Sequence, residues 1–260
     1  IRWPGGCFAD LYNWRDGIGP QSKRPVRINT HWGGVTDNNA FGTHEFMNFA
    51  ELLGADAYVS GNVGSLTPYD MAQWVEYMTS SEDASLANER RANGRDKPWT
   101  LKYLGIGNEL WGCGGNMSGD YAASVNARYS TFVNAPAAMG MIKVASGPTG
   151  SRSNYEAFTA AMMKGGGHLQ ALSFHYYATP KGRPRGPATG FSEDQWASEL
   201  DLARAMEGYV SKVSAVMDKY DPQKKVALYV DEWGAWYDQE PGTHAGFLYQ
   251  QNSLRDAEVA

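Results

Sequence analysis

The sequence predicts an α/β fold on a parallel sheet, a (β/α)8 barrel present in part, and three observations lead there. Strand-like and helix-like segments alternate along the 260 residues. The connections between successive strands are long enough to hold a helix, which specifies parallel pairing. Two of the strand-like runs, LKYLGIG and KKVALYV, end in a glutamate followed closely by Trp and Gly, in NELWG and DEWG.

The elements follow in order. ADAYVS at 55–60 is a short β-rich run ending in Gly61-Asn62. In TPYDMAQWVEYM, Thr67 is suited to an N-cap, Pro68 to the first helical position, and Asp70 completes a capping box. LKYLGIG is the next strand, and a helix is expected over roughly Asp120 to Asn134. IKVAS leads through GPTG to SNYEAFTAAMMKGGG, where Ser153 and Glu156 read as a second capping box and Gly165 as the stop. ALSFHYY is a strand, and an amphipathic helix runs from about Ser192 to Lys219, ended by Asp221-Pro222. VALYV is the last strand, and FLYQQNSLRDAEVA is helical by composition. A further strand would have IRW as its tail. Five clear strands and this sixth fall short of eight, so a partial barrel running from about its second strand to its seventh helix is expected. No linker divides the chain, which reads as a single domain.

Composition narrows the function. With 42% hydrophobic and 20% charged residues the chain supports a real core. A net charge of −5 and the absence of a basic run argue against nucleic-acid binding. KGRPRG at 181–186 reads as a loop. No apolar stretch approaches membrane-spanning length. The chain begins at Ile1, and the compartment, cytoplasmic or secreted, stays open. Two cysteines and five scattered histidines offer no metal-site spacing, so neither metal nor other cofactor is expected. Nine Trp is a high count, and Trp14, Trp32, Trp111 and Trp236 sit in loop-like, Gly-rich segments. Aromatic faces in such loops suit sugar rings, although they would equally line a protein interface.

Both glutamates lie where a parallel strand ends and its βα loop begins, the catalytic face of a barrel. A doubly wound sheet would also bind ligands there, but no strand is followed by GxGxxG or a P-loop. Glu109 and Glu232 belong to strands three βα units apart, close enough on a circular rim to face one another. Paired carboxyl groups are the requirement of glycoside hydrolysis, and a separation of about 5–5.5 Å is that of retaining enzymes.

GIGNELWGCGGNM and LYVDEWGAWYD resemble the acid/base and nucleophile motifs of glycoside hydrolase family 51, mainly α-L-arabinofuranosidases of a retaining (β/α)8-barrel clan. The resemblance extends through RWPGGCFADLYNWRDGIGP, FGTHEFM, GNVGSLTPYDMAQWVEY, SFHYY and FLYQQNSLRDA, nearly the whole chain. It implies Glu109 as general acid/base at the fourth barrel strand and Glu232 as nucleophile at the seventh. Repulsion from a Glu232 carboxylate would keep Glu109 protonated for its acid step.

The resemblance also implies substrate-site roles for Asn108, Cys7, Tyr177, Arg2, His175 and Trp111. Asn108 would bond the sugar 2-hydroxyl, though an Asx turn would also use an Asn there. Arg2 would hold Glu232 ionised. Cys7 would line the sugar subsite; without the resemblance it reads as a small buried apolar residue. Cys113 fits the same description, and a Cys7–Cys113 disulfide is the alternative. Alternation puts Ser173, His175 and Tyr177 on one face of their strand, and the tyrosine that the resemblance implies against the nucleophile is expected to be Tyr177 rather than Tyr176. His175 is either a sugar contact or a hydrogen-bonded structural residue. Asp231, on the opposite face from Glu232, is expected to be structural, and Asn62 to sit at a strand mouth.

The family's first strand with a sugar-binding Glu, its eighth strand and its β-sandwich domain lie outside this chain, and Leu11 stands where an acidic residue is expected. The expected function is exo-acting, retaining hydrolysis of terminal arabinofuranose from arabinoxylan or arabinan, in an enzyme whose family suggests a homo-oligomer. The alternatives are an endo-β-glucanase or xylanase on the same scaffold, or a carbohydrate-binding protein without turnover. Convergence of Glu109 and Glu232 separates the last from the others.

Overall fold

Residues 1–179, 185–242 and 253–260 are described by a computed structural model of the chain. Six parallel strands form the main sheet in the order β1 (Arg2–Trp3), β4 (Tyr58–Gly61), β5 (Tyr103–Ile106), β6 (Ile142–Ala145), β7 (Ala171–Ala178) and β8 (Ala227–Ala235). Spatial order follows chain order, as in a barrel wall wound one βα unit at a time. A small antiparallel hairpin, β2 (Arg27–Asn29) with β3 (Val35–Asp37), stands off this sheet.

Helices α1 (Thr43–Leu53), α2 (Pro68–Thr79), α3 (Ser85–Ala92), α4 (Gly119–Phe132), α5 (Tyr155–Gly165), α6 (Glu193–Tyr220) and α7 (Leu254–Val259) complete the fold. Their starts follow local chemistry. The Thr67 hydroxyl accepts from the Asp70 N–H while Asp70 Oδ2 accepts from the Thr67 N–H, the reciprocal box predicted for α2. The Ser153/Glu156 box is not formed. A turn through Thr149, whose carbonyl accepts from the Arg152 N–H, delays entry so that Asn154 caps α5 without a side-chain bond. Two helices not expected from the sequence are α1 and α3. Helix α1 starts at Gly42, which has no side chain to announce it; half a capping box is present, the Gly42 N–H donating to Glu45. The predicted helical stretch at the C-terminus is observed as α7, its residues 247–252 lying outside the described part, as do residues 181–184 of the expected loop.

The core lies between sheet and helices. Val59, Leu104, Ile106, Leu172 and Phe174 are fully buried on the strands, packed with Trp74, Val75 and Met78 of α2, Phe158 and Met162 of α5 and Val213 of α6. Much of the aromatic content is here. Trp14 is 1% exposed and stacks on Trp74, so the loop-face role considered for it is replaced by packing.

Candidate active site

The C-terminal ends of the strands carry a cavity of about 770 Å³ whose wall includes Arg2, Cys7, Glu109, Trp111, Tyr177 and Glu232. One carboxylate oxygen of Glu109, one of Glu232 and one ring nitrogen of His175 all lie within 4.8 Å of each other. The two glutamates arrive by different routes. Glu109 sits in a tight turn after β5, in the left-handed region at φ 46°, and its carbonyl accepts from the Gly112 and Gly114 N–H groups. Such a conformation is strained for a residue with a Cβ. Gly107, just before it, has φ 77°, and a Cβ there would meet Val63 Cγ2 at 2.6 Å.

Glu232 is part of β8, and a register irregularity places it inward. Phe174 pairs with Val230 but His175 pairs with Glu232, so Asp231 is the extra residue of a β-bulge. Strict alternation would send Asp231 to the opposite face from Glu232. The bulge instead turns both toward the same buried group, which corrects the sequence expectation for Asp231.

Arg2 knits this cluster together. Its Nη1 donates to Glu232 Oε2 at 2.8 Å, its Nε to Ser60 Oγ at 3.1 Å, and its Nη2 to Asn108 Oδ1. Tyr177 donates to the other Glu232 oxygen at 2.9 Å, while Tyr176 points away and donates to the Leu202 carbonyl. Burial raises the Glu232 pKa, but the charges of His175 and Arg2 and the bonds from Arg2 and Tyr177 outweigh it and hold the group below its ordinary value.

His175 stands behind the carboxylates rather than on the cavity wall, 2% exposed. Its Nδ1 is 2.8 Å from Glu109 Oε1, and its Nε2 makes an ion-pair contact with Asp231 Oδ1 at 3.2 Å, without aligned hydrogen-bond geometry. Burial opposes its charge, yet the contacts with Asp231 and Glu109 and the charge of Glu232 together push its pKa up to about 10. A sugar contact is therefore replaced by a bridging role. Asp231 also accepts from the Tyr58 hydroxyl at 2.8 Å; against the cost of burial, His175, Arg2 and this bond keep its pKa low.

Asn108 likewise lies a layer back from the cavity wall. Arg2 fixes its Oδ1, and its buried Nδ2 has no partner. Asn62 forms an Asx turn, Oδ1 accepting from the Ser65 N–H while Nδ2 donates to the Tyr12 carbonyl. Cys7 and Cys113 are joined in a disulfide with Cα atoms 5.4 Å apart. This settles the open question of two thiols or one bridge. The Cys113 sulfur touches Glu109 Oε2 at 3.6 Å; it has no proton to donate, so this is packing.

One residue of the site was not legible in the sequence. Asp10 is 3% exposed, and its carboxylate accepts from the Val63, Gly64 and Asn108 N–H groups, tying the loops after β1, β4 and β5 into one rim. Burial pushes its pKa up to about 6 against these bonds. Its partners lie 53 to 98 residues away, with no local signal. Among the described residues, potential metal donors converge as Cys7, Glu109, Cys113 and as Glu109, His175, Glu232. The first is not a ready ligand set, because its two sulfurs are bonded to each other; in the second, the imidazole Nδ1 is engaged with Glu109 Oε1.

Two carboxylates converging over the C-terminal ends of parallel strands define the layout of a barrel glycosidase. Comparison with known proteins specifies it further. The family model described as "Alpha-L-arabinofuranosidase 1 domain" matches residues 1–198. A protein of Bacteroides ovatus named "Intracellular exo-alpha-L-arabinofuranosidase" is 51% identical over the whole chain, and the match covers 50% of that relative. A crystal structure of the family 51 arabinofuranosidase of Xanthomonas axonopodis pv. citri superposes with a TM-score of 0.94 at 57% identity, covering 100% of this chain and 52% of the other. An arabinose complex of the Thermotoga maritima α-L-arabinofuranosidase gives 0.81 at 27% identity, covering 98% and 49%. The chain belongs to glycoside hydrolase family 51, the α-L-arabinofuranosidase family, and spans about half the length of these relatives. No helix among the described residues is long and apolar enough to cross a membrane.

Proposed function

We propose that the protein is a retaining, exo-acting α-L-arabinofuranosidase that removes terminal arabinofuranose from arabinoxylan or arabinan, with this chain supplying its two catalytic carboxyls within a single barrel domain. The observation that carries the reading is the convergence of Glu109 and Glu232, with a carboxylate oxygen of each within 4.8 Å. That spacing is in line with the roughly 5–5.5 Å of retaining enzymes and short of the about 6.5–9.5 Å that inverting enzymes use to seat a water beside the substrate.

Glu232 is the nucleophile in this reading. Arg2 and Tyr177 each occupy one of its oxygens, keeping it ionised and aimed. It attacks the anomeric carbon while Glu109 donates a proton to the departing glycosidic oxygen, giving a glycosyl ester and a free alcohol. Water, deprotonated by Glu109, then opens the ester and restores both groups. Asn108 supports the nucleophile's partner from behind the wall in this reading, its Oδ1 accepting from Arg2 Nη2.

The test is nitrophenol release from 4-nitrophenyl α-L-arabinofuranoside, with proton NMR of the first-formed product. Turnover with retained configuration, lost in Glu232→Ala, is expected. Inverted product, or a Glu232→Ala variant as active as the parent, removes the double displacement.

A further inference from the structure

Among the described residues, the charged side chains on the cavity wall away from its floor are two arginines, Arg152 and Arg185. This is not the bias of a basic chain, whose net charge is −5. Each arginine lies over a tryptophan of the same wall. The Arg152 guanidinium carbon is 5.1 Å from the Trp111 ring centre, and that of Arg185 is 4.0 Å from the Trp236 ring centre. Trp236 in turn packs against Trp32 and Tyr177, with ring centres 5.9 Å and 5.8 Å away. The loop following β6 supplies Arg152 and the connection after β7 supplies Arg185, so the two come from adjacent loops of the rim.

Arg152 is exposed, and among the described residues no carboxylate lies within salt-bridge distance of it. Stacking on an indole does not consume a guanidinium's N–H donors, and those of Arg152 match a carboxylate in a planar fork. Glu109 and Glu232 are engaged at the floor, so the rim presents fixed positive charge and aromatic faces to whatever extends out of the cavity. Aromatic faces suit sugar rings, and a forked cation suits an acid carried on one.

From this we infer that the cavity mouth is a subsite for an acidic sugar: the glycan on the leaving-group side of the scissile bond carries a uronate, and Arg152 reads its carboxylate. The inference rests on the proposed function for the direction in which the glycan enters, and it narrows the substrate class to acid-substituted hemicellulose.

The experiment uses the intact protein and a pair of arabinofuranosyl xylo-oligosaccharides that differ only in a glucuronosyl branch on a neighbouring xylose. Dissociation constants come from calorimetry in a Glu232→Ala background, which does not hydrolyse the ligand and serves as the parent for binding; nitrophenyl arabinofuranoside turnover is measured alongside with Glu232 in place. The branched ligand is expected to bind about threefold to tenfold tighter, the range of a charge-assisted bond in a partly exposed site. That preference falls toward one in Arg152→Gln, is partly kept in Arg152→Lys, and shrinks in the parent protein at 0.5 M salt by screening. Equal affinities in the parent, or a preference untouched by Arg152→Gln, overturns the inference. Failure of the arabinofuranosidase reading looks different: nitrophenol release is absent while the preference in binding stands.

Discussion

His175 Nδ1 lies 2.8 Å from Glu109 Oε1, joining the carboxyl at the end of one strand to a cation buried on another 66 residues away. The pair is the hinge of the site's electrostatics, because the same ring also faces Asp231 and Glu232.

The sign of its pH dependence follows. The His175 pKa rises from 6.5 to about 10 in the folded protein. Its contribution to stability is thus fully present below about pH 6.5 and is lost as the pH climbs through about 10. Asp231 and Glu232, held below their ordinary values, stay charged across that window and add no slope. Urea unfolding midpoints should fall from pH 7 to pH 10 in the parent and change less in His175→Asn. Parallel curves would show the imidazole to be neutral in the native state.

Replacing Arg2 by Gln removes one cation from Glu232 and leaves burial to act on it. The Glu232 pKa moves up, so the acidic limb of the kcat/KM profile should shift to higher pH, beyond any loss in maximum rate. An acidic limb that stays in place would mean that Glu232 is not the group titrating there.

Tyr177→Phe deletes one hydrogen bond to Glu232 Oε1 without emptying the space. A bond to a charged group is worth about 1.5–3 kcal/mol, so kcat/KM should drop roughly 10- to 100-fold. Tyr176→Phe, whose hydroxyl points to the Leu202 carbonyl, is the control and should leave nitrophenyl substrate turnover close to the parent's.

Asp10→Ala leaves the Val63, Gly64 and Asn108 amides without their acceptor. A loss of about 2–5 kcal/mol is expected, with buried donors unpaired, read by denaturant titration. A variant as stable as the parent would show that the rim holds its shape without this carboxylate.

The Cys7–Cys113 bond closes a loop between residues 106 positions apart in the sequence. Cys113→Ser should lower stability by about 2–5 kcal/mol, and a reducing agent should lower the parent's melting temperature but not the variant's. A parent indifferent to reductant would mean that the bridge is inaccessible or contributes little.

Local chemistry was enough for much of the molecule. Strand after strand was legible because a parallel wall buries its strands and selects β-branched and apolar runs. Helix α2 was readable from Thr67, Pro68 and Asp70, a signal carried within four residues. Helix α1 was not, since its entry is a glycine with no side chain to cap it, which only donates its N–H to Glu45. The paired glutamates stood out because strand ends on one barrel rim share a surrounding motif. What sequence could not decide was anything set by contacts across the wall. The bulge that turns Asp231 inward exists only in the pairing of β7 with β8. Asp10 reaches main-chain amides that carry no sequence identity, and the cysteines, read as two small residues or a bridge, were resolved by the approach of the loops after β1 and β5. Residue type and spacing determined which groups this protein could use for chemistry. The tertiary structure decided their partners, because hydrogen bonds and ion pairs depend on distances that are set only when strands far apart in the chain lie side by side.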